Sequence, residues 1–455
     1  MNNNTKNMPA LRVDHLALRN FRCFPDIAID FHEQLTVIVA NNGQGKTSVL
    51  DAVAIALGPF VGAFDDGKDR AFERDDIRLL RTGTGNRMEL ADGGVTLTAT
   101  GIVGRQEASW KRQLAGPKSR TTRKDAQMLT DAGKKLQSRV RRETEAWTTG
   151  TCLPLVAYYP TDRLWNIRRL PYKPLPRTSR MVGYTHCLES GSDFRLMAEW
   201  FRYWSYASLE HRHKDLQAHR VSESSEADSA LEAVRRAINL CLKPSGWGNI
   251  DFSIERHEIV ARHPQQGELP VAMLSDGIRS MLTLVADIAF RAVKLNPNLG
   301  PFAATNTDGV VLIDEVDMHL HPSWQQTVVA SLREAFPKMQ FIVTTHSPQV
   351  LSTVSSEHIR VLGEIDGMHK AAKPDFSPLA HESGDALAKV MGTQREPELE
   401  IQDEIRRYEL LVRNGDEGSE EANALFNKLV QAGYQFHESD LTTWRFLASR
   451  TKRAG

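Results

Sequence analysis

The stretch Leu35-Thr36-Val37-Ile38-Val39-Ala40-Asn41-Asn42-Gly43-Gln44-Gly45-Lys46-Thr47 joins a short apolar run to a glycine-containing turn, and residues 47–57 (TSVLDAVAIAL) then space their apolar side chains as a helix does. A β-branched apolar run bounded by NNG reads as a buried strand entering a tight loop. The resulting order of strand, loop and helix is the one that phosphate binding requires. Loop N–H groups and the helix N-terminus wrap the phosphates, a lysine reaches the β and γ phosphates, and the hydroxyl beside it ligates magnesium. The nucleotide-binding candidates are therefore Asn41, Asn42, Gly43, Gln44, Gly45, Lys46, Thr47 and Ser48, with Thr47 also a metal ligand. The loop departs from GxxxxGK[ST] at one position, where Ala40 replaces the first glycine.

Working outward, residues 11–18 (LRVDHLAL) and 27–31 read as strands before the loop, and residues 95–103 and 109–113 suggest a meander after it. Residues 310–313 (VVLI) and 340–344 (QFIVT) are short apolar runs with a helical segment between them, as in a βαβ unit. The first ends in Asp314 and Glu315, where Asp314 would hold Mg2+ and Glu315 would polarise an attacking water. The second runs into Thr344-Thr345-His346-Ser347-Pro348, which sets His346 at a strand end facing nucleotide. Residues 274–279 (LSDGIR) start a helix. Ser275 there either caps the helix or, with the Gly277 backbone, suits a γ-phosphate presented by another subunit.

The charge balance limits the possible partners. With 57 Lys+Arg against 57 Asp+Glu over 455 residues, the chain is neither a uniformly basic nucleic-acid coat nor an acidic solvating protein. Neutrality is nevertheless a cancellation. Residues 111–142 hold eleven Lys/Arg and two Asp, a net of +9, and residues 396–421 hold ten acidic and three basic residues, a net of −7. The basic segment is the best candidate for DNA contact, against the plainer reading of a solvated loop. Trp110, Trp147 and Trp165 lie at or near its edges, to stack on bases or to pack in the core. Composition that is 41% hydrophobic supports a sizeable core. No run of eighteen apolar residues and no basic-then-apolar leader occurs, so a cytoplasmic protein without a membrane partner is expected. Cys23, Cys152, Cys187 and Cys241 make no CxxC pair, and the HxH pairs His211/His213 and His319/His321 lack a third ligand at useful spacing; a zinc or disulfide framework is not expected.

Taken together, the loop at 40–47, LSDGIR at 274–279, VVLIDE at 310–315, VDMHLHP at 316–322 and TTHSP at 344–348 occur in the order of ABC-type ATPases. They resemble the RecF/SMC/OLD branch, to which the opening LRNFRCF (18–24) is also similar. The resemblance covers roughly residues 10–365. It implies an α/β, ABC-type P-loop ATPase head of mixed sheets with flanking helices, carrying a helical insertion and a small helical C-terminal tail. It also implies ATP and Mg2+ as cofactors and a homodimer that sandwiches the nucleotides. Lys46, Thr47, Asp314, Glu315 and His346 of one subunit would then face Ser275 and Gly277 of the other, with Asp317 at the seam. No Q-loop glutamine is identified; the segment 153–165 (LPLVAYYPTDRLW), ending near Arg163, occupies its place.

Only 229 residues separate Lys46 from Ser275, without sustained heptads, which excludes a long coiled-coil arm. The tail has no DxD cluster of the kind carried by the Toprim nuclease domain of OLD and Gabija-type proteins. Size, the missing Toprim unit and the AYYPTDRLW segment resemble the PtuA family, the ATPases of the Septu anti-phage systems and of some retrons. That resemblance implies a partner HNH nuclease of the PtuB type that cuts DNA under this chain's control. A RecF-like repair ATPase without a nuclease and a slow ATP-sensing switch are the alternatives. The expected organisation is a first ATPase lobe over 1–150, a helical lobe over 151–245, a second ATPase lobe over 246–365 and an acidic helical tail over 366–455. The tail is either a docking surface for the partner or a solvated helix pair.

Overall fold

The computed structural model describes residues 8–81, 88–148, 150–161, 179–189, 194–219, 224–365, 367–393, 399 and 401–454. Arg163 and Trp165 lie outside them. The chain divides into two compact units, residues 1–393 and 394–455.

In the first unit the chain forms β1 (Leu11–Phe21), β2 (Phe24–Asp30), β3 (Leu35–Val39), helix α1 (Lys46–Val61), β4 (Leu79–Arg81), β5 (Met88–Leu90), β6 (Val95–Val103), β7 (Gln106–Leu114), α2 (Gln127–Glu145) and β8 (Leu155–Tyr159). It continues with α3 (Phe194–Gln217), α4 (Glu226–Leu242), β9 (Gly248–Ser253), β10 (Glu258–His263), β11 (Gly267–Pro270), α5 (Asp276–Leu295), β12 (Gly309–Ile313), α6 (Val328–Ala335), β13 (Met339–Thr344), β14 (Ile359–Ile365) and β15 (Met368–Ala372). The central sheet has the order β15-β14-β3-β13-β12-β8. Four of its five pairings are parallel, and β15 runs antiparallel along one edge. An antiparallel sheet β2-β1-β6-β7, a small sheet β11-β10-β9 and the hairpin β4-β5 complete the mixed architecture. This is the expected α/β P-loop ATPase head.

The period of each segment explains its place. β3, β8, β12 and β13 are buried at every position, as strands covered on both faces must be. β6 and β1 instead alternate, with one face in the core. All of α1 except Thr47 is buried. A helix apolar all round must be covered all round, and α1 packs on β8, β12 and β13, on β1 and β6, and on α2. The two large sheets are tied by one buried amide. Gln340 on β13 donates from Nε2 to the Val13 carbonyl at 2.7 Å, and its Oε1 accepts the Val13 N–H at 3.0 Å.

The basic segment 111–142 is ordered as the end of β7, a turn and α2, rather than a loop. Trp110 and Arg112 lie in the core. The Trp110 Nε1 donates to Ala56 O at 3.0 Å, and Arg112 donates to Ile55 O at 2.7 Å and to Asp69 at 3.0 Å. Burial pulls the Arg112 guanidinium below its ordinary pKa, only partly offset by Asp69. Leu129, Gly133, Gln137 and Val140 form the buried stripe of α2, leaving Lys134, Lys135, Arg139, Arg141 and Arg142 exposed. Trp147, at the end of α2, is 97% exposed.

The sequence reading opens the helical lobe at 151 and the tail at 366. In the structure β8 is an edge strand of the central sheet, and residues 367–393, including β15, cluster with the first unit. The second unit is a three-helix cluster of α7 (Gln402–Asn414), α8 (Glu420–Gln431) and α9 (Glu438–Ala454) around Ile405, Tyr408, Val412, Ala422, Leu429 and Trp444. Part of its acidity is neutralised internally. Glu421 pairs with Arg407 at 2.5 Å, Glu404 with Lys428 at 2.6 Å and Glu417 with Arg445 at 2.6 Å.

One buried ion pair anchors α5 beside the central sheet. The Asp287 Oδ2 accepts from Arg291 Nε at 2.7 Å and from the Tyr159 hydroxyl of β8 at 2.7 Å, and Arg291 also donates to the carbonyls of Gly183 and Thr185. Burial alone would lower the Arg291 pKa, but Asp287 overcomes it and the net shift is upward. Removing one partner of such a pair leaves an uncompensated buried charge. Asp287→Asn is therefore expected to destabilise the protein by about 3 kcal/mol, read as a lower melting temperature. A change within the error of the wild type would show that Arg291 finds another partner.

Candidate nucleotide site

The phosphate-binding candidates sit where β3 hands over to α1. Gly45 caps the helix with φ 88°, and a Cβ there would meet the Phe24 ring at 2.3 Å and Cys23 Sγ at 2.6 Å. Only glycine fits this position, both for backbone conformation and for space. The loop is held by its own groups. The Asn41 N–H donates to Gln44 Oε1 at 3.2 Å and the Gln44 N–H to Asn41 O at 3.3 Å. The Lys46 Nζ donates to Ala40 O at 2.9 Å and to Asn41 O at 3.3 Å. Burial lowers the pKa of Lys46, while Asp314, Glu315 and Asp317 pull it back up. The lysine thus sits in a negative surround, next to the α1 N-terminus.

Strand order brings the distant motifs to it. β13 lies between β3 and β12, so the ends of all three strands share one edge of the sheet. The Thr47 hydroxyl donates to Asp314 Oδ2 at 2.6 Å across 267 residues. The Thr344 hydroxyl donates to Asp314 Oδ1 at 2.5 Å and accepts the Glu315 N–H at 2.8 Å. Asp314 is 1% exposed and has a hydroxyl on each oxygen. Thr47 and Asp314 together form an all-oxygen donor set of the kind a hard cation such as Mg2+ prefers. Glu315 turns away from the strand with φ 46°, an uncommon conformation for a non-glycine residue. Its held N–H fixes where the carboxylate emerges.

The remaining candidates divide into two groups. Asp317 is fixed within the chain by the Thr345 hydroxyl, at 2.5 Å, and His346 is half-buried on the turn after β13. Ser275 precedes α5, is exposed and makes no capping bond with its side chain, which leaves the hydroxyl open to a ligand. Gly277 packs under the turn after Asp317, where a Cβ would stand 2.4 Å from the His319 carbonyl. The 274–279 segment therefore lies in close contact with the 316–322 segment, with no room for a side chain at Gly277. Of the HxH histidines of that turn, His321 serves structure, its Nδ1 accepting the Ser323 N–H at the start of a short helix. Among the described residues no His/Cys/Asp/Glu group of metal-binding size occurs.

Sequence reading missed the supports. Thr344 and Thr345 organise Asp314, Glu315 and Asp317, and the doubled threonine before His346 was the available signal. Behind α1, the Asp51 carboxylate binds Arg22 at 2.5 Å and Arg70 at 2.5 Å, and Arg22 also reaches Asp76 at 2.8 Å. This cluster ties the β1–β2 turn to the nucleotide helix, and nothing in the spacing of those residues announced it.

A family model described as "AAA domain" matches residues 15–243, and a second AAA domain model matches residues 189–352. The chain is 28% identical to the retron Vc95 probable ATPase of Vibrio cholerae, covering 90% of this chain and 85% of that one. It is 24% identical to the retron Ec83 probable ATPase of Escherichia coli, over 92% and 84%. The Septu protein PtuA of Bacillus thuringiensis is 28% identical over 30% of this chain and 36% of its own. Among solved structures, an SMC head bound to the C-winged helix domain of ScpA aligns with 17% identity and a TM-score of 0.46, over 80% of this chain and 98% of that one. With a family model that spans half of its length and includes the phosphate loop, the chain belongs to the AAA domain family of ATPases, homologous to the retron ATPases and Septu PtuA.

Proposed function

We propose that this chain is the ATP-binding and hydrolysing subunit of an anti-phage defence complex, in which it controls a partner HNH nuclease of the PtuB type that degrades DNA. The observation that carries the ATPase part is the Thr47–Asp314–Thr344–Glu315 constellation, in which one strand edge holds a cation ligand pair and an acid side by side. Similarity along nine-tenths of the chain to retron ATPases supports the defence setting.

In this reading the loop residues from Asn41 to Ser48 bind the phosphates, with Lys46 released from the Ala40 carbonyl to meet them. Thr47 and Asp314 hold Mg2+, which when bound supplies charge neutralisation at the phosphates. Glu315 would accept the proton of the attacking water and His346 would steady the developing charge. Ser275 and Gly277 act on the nucleotide held by a second copy, with Asp317 at the seam of that homodimer. The nine exposed basic residues between Lys118 and Arg142 would meet DNA phosphates, and the three-helix second unit would dock the nuclease.

Co-expression of the chain with its neighbouring gene tests this. The expected results are co-purification of a nuclease and protection from phage in a plaque assay, both for the wild type, with protection lost in Lys46→Ala. Full protection by Lys46→Ala, or a neighbour that is no nuclease, would overturn the defence reading.

A further inference from the structure

Away from the strand edge that holds the nucleotide-site residues, α3, α4 and α5 enclose a second cavity of about 500 Å³. Trp200, Tyr203 and Trp204 of α3 line it at helical spacing, with Lys294 of α5, Glu226 at the start of α4 and Arg180. The rings are packed edge and tilt: Trp200 lies 5.3 Å from Tyr203 at 85° and 5.7 Å from Trp204 at 44°. Arg180 is already engaged, donating to the carbonyls of Leu295 and Thr151.

Two polar groups of the lining, the Lys294 ammonium and the Trp200 indole N–H, lack a hydrogen-bond partner among the described residues, and the His211 Nδ1 beside them faces only Asp215 at 3.2 Å. Lys294 is 9% exposed and its Nζ stands 3.5 Å from the Trp200 ring centroid; among the described residues it has no hydrogen bond or ion pair. The Trp200 Nε1 is a buried donor without a hydrogen-bond partner among the described residues, and Trp200 is 3% exposed. Burial lowers the Lys294 pKa to about 8, only partly offset by Glu226. A buried ammonium and a buried indole N–H both call for an acceptor, and the ammonium calls for a negative one. Aromatic walls call for a flat partner. Aromatic cages also take organic cations, but here the Trp200 face is already covered by a positive charge, which repels a second one.

We infer that this cavity is a second nucleotide site, which takes one base against the Tyr203 ring and the edges of Trp200 and Trp204 and one phosphate on Lys294, supplied by a free nucleoside monophosphate or by the 5′-phosphorylated end of a strand. Its size suits one such unit, within the usual range for small-ligand sites. The Glu226 carboxylate, on the other wall, accepts from a base amino group and disfavours a ligand with several phosphates. The site is separate from the loop at Lys46 and survives the loss of that loop.

The test therefore uses the full chain carrying Lys46→Ala, titrated with AMP and with CMP by calorimetry and by quenching of tryptophan fluorescence. Saturable binding with a Kd below about 1 mM is expected. Lys294→Met, which keeps the aliphatic stem, is expected to weaken it at least about tenfold, the size of one charge-assisted contact. Tyr203→Ala, at a half-buried position, serves as a second variant if Lys294→Met fails to fold. A short 5′-phosphorylated oligonucleotide that binds more tightly than AMP would identify a strand end as the ligand; AMP binding without oligonucleotide binding would identify the free nucleotide. No saturation with either probe, or equal affinity in the folded Lys294→Met protein, would overturn the proposal.

Discussion

Lys46→Ala is expected to lower ATP affinity by about 100-fold, because two charge-assisted contacts to phosphate at about 1.5 kcal/mol each amount to two decades. The unliganded protein should hardly notice. Lys46 gives up two carbonyl contacts, but burial already works against its charged form in the folded protein, as its lowered pKa shows. The two effects oppose each other. The variant should therefore keep its melting temperature without nucleotide and lose the upward shift that MgATP gives the wild type. That shift corresponds to about 2.7 kcal/mol at a ligand concentration 100 times the Kd. A variant that still gains the full shift would place the nucleotide elsewhere, and a variant that melts far lower would make Lys46 a structural residue.

Glu315→Gln is expected to leave ATP binding intact while cutting turnover by about 100-fold or more, the usual range for losing a positioned base. The substitution keeps the side-chain shape and leaves untouched the backbone N–H that Thr344 holds at 2.8 Å, so the φ of 46° and the direction of the side chain persist. Only the proton acceptor is lost. Trapped nucleotide should then hold two copies together, which light scattering with and without MgATP would detect as a doubling of mass. Unchanged turnover would remove Glu315 from the reaction and shift attention to His346. Slow turnover in the wild type itself would favour the slow ATP-sensing switch.

Much of the fold was legible because it rests on local rules. An apolar run, a turn that needs Gly45 at φ 88° and a helix are adjacent in sequence, and their geometry follows from the residues themselves. The strand ends at Asp314 and Thr344 were legible for the same reason. Charge counts misled in one respect. Arg112 counts toward the net charge of +9 for 111–142, but it is inside the protein bound to Asp69, and the segment is a strand end and an amphipathic helix. A count treats every arginine as exposed, whereas packing decides which one faces inward.

The order and chemistry of the motifs, and with them the kind of ligand proposed, were decided by sequence alone, since a phosphate loop and an acid-tipped strand are made of neighbours. Tertiary structure alone decided that β13 separates β3 from β12, that Thr344 joins Asp314 to Glu315, and that Gln340 ties the two sheets. It also decided that Lys294 and Trp200, 94 residues apart, share one cavity. These are contacts between segments far apart in the chain. Their partners are selected by which surfaces must be buried together, and no window of sequence contains that information.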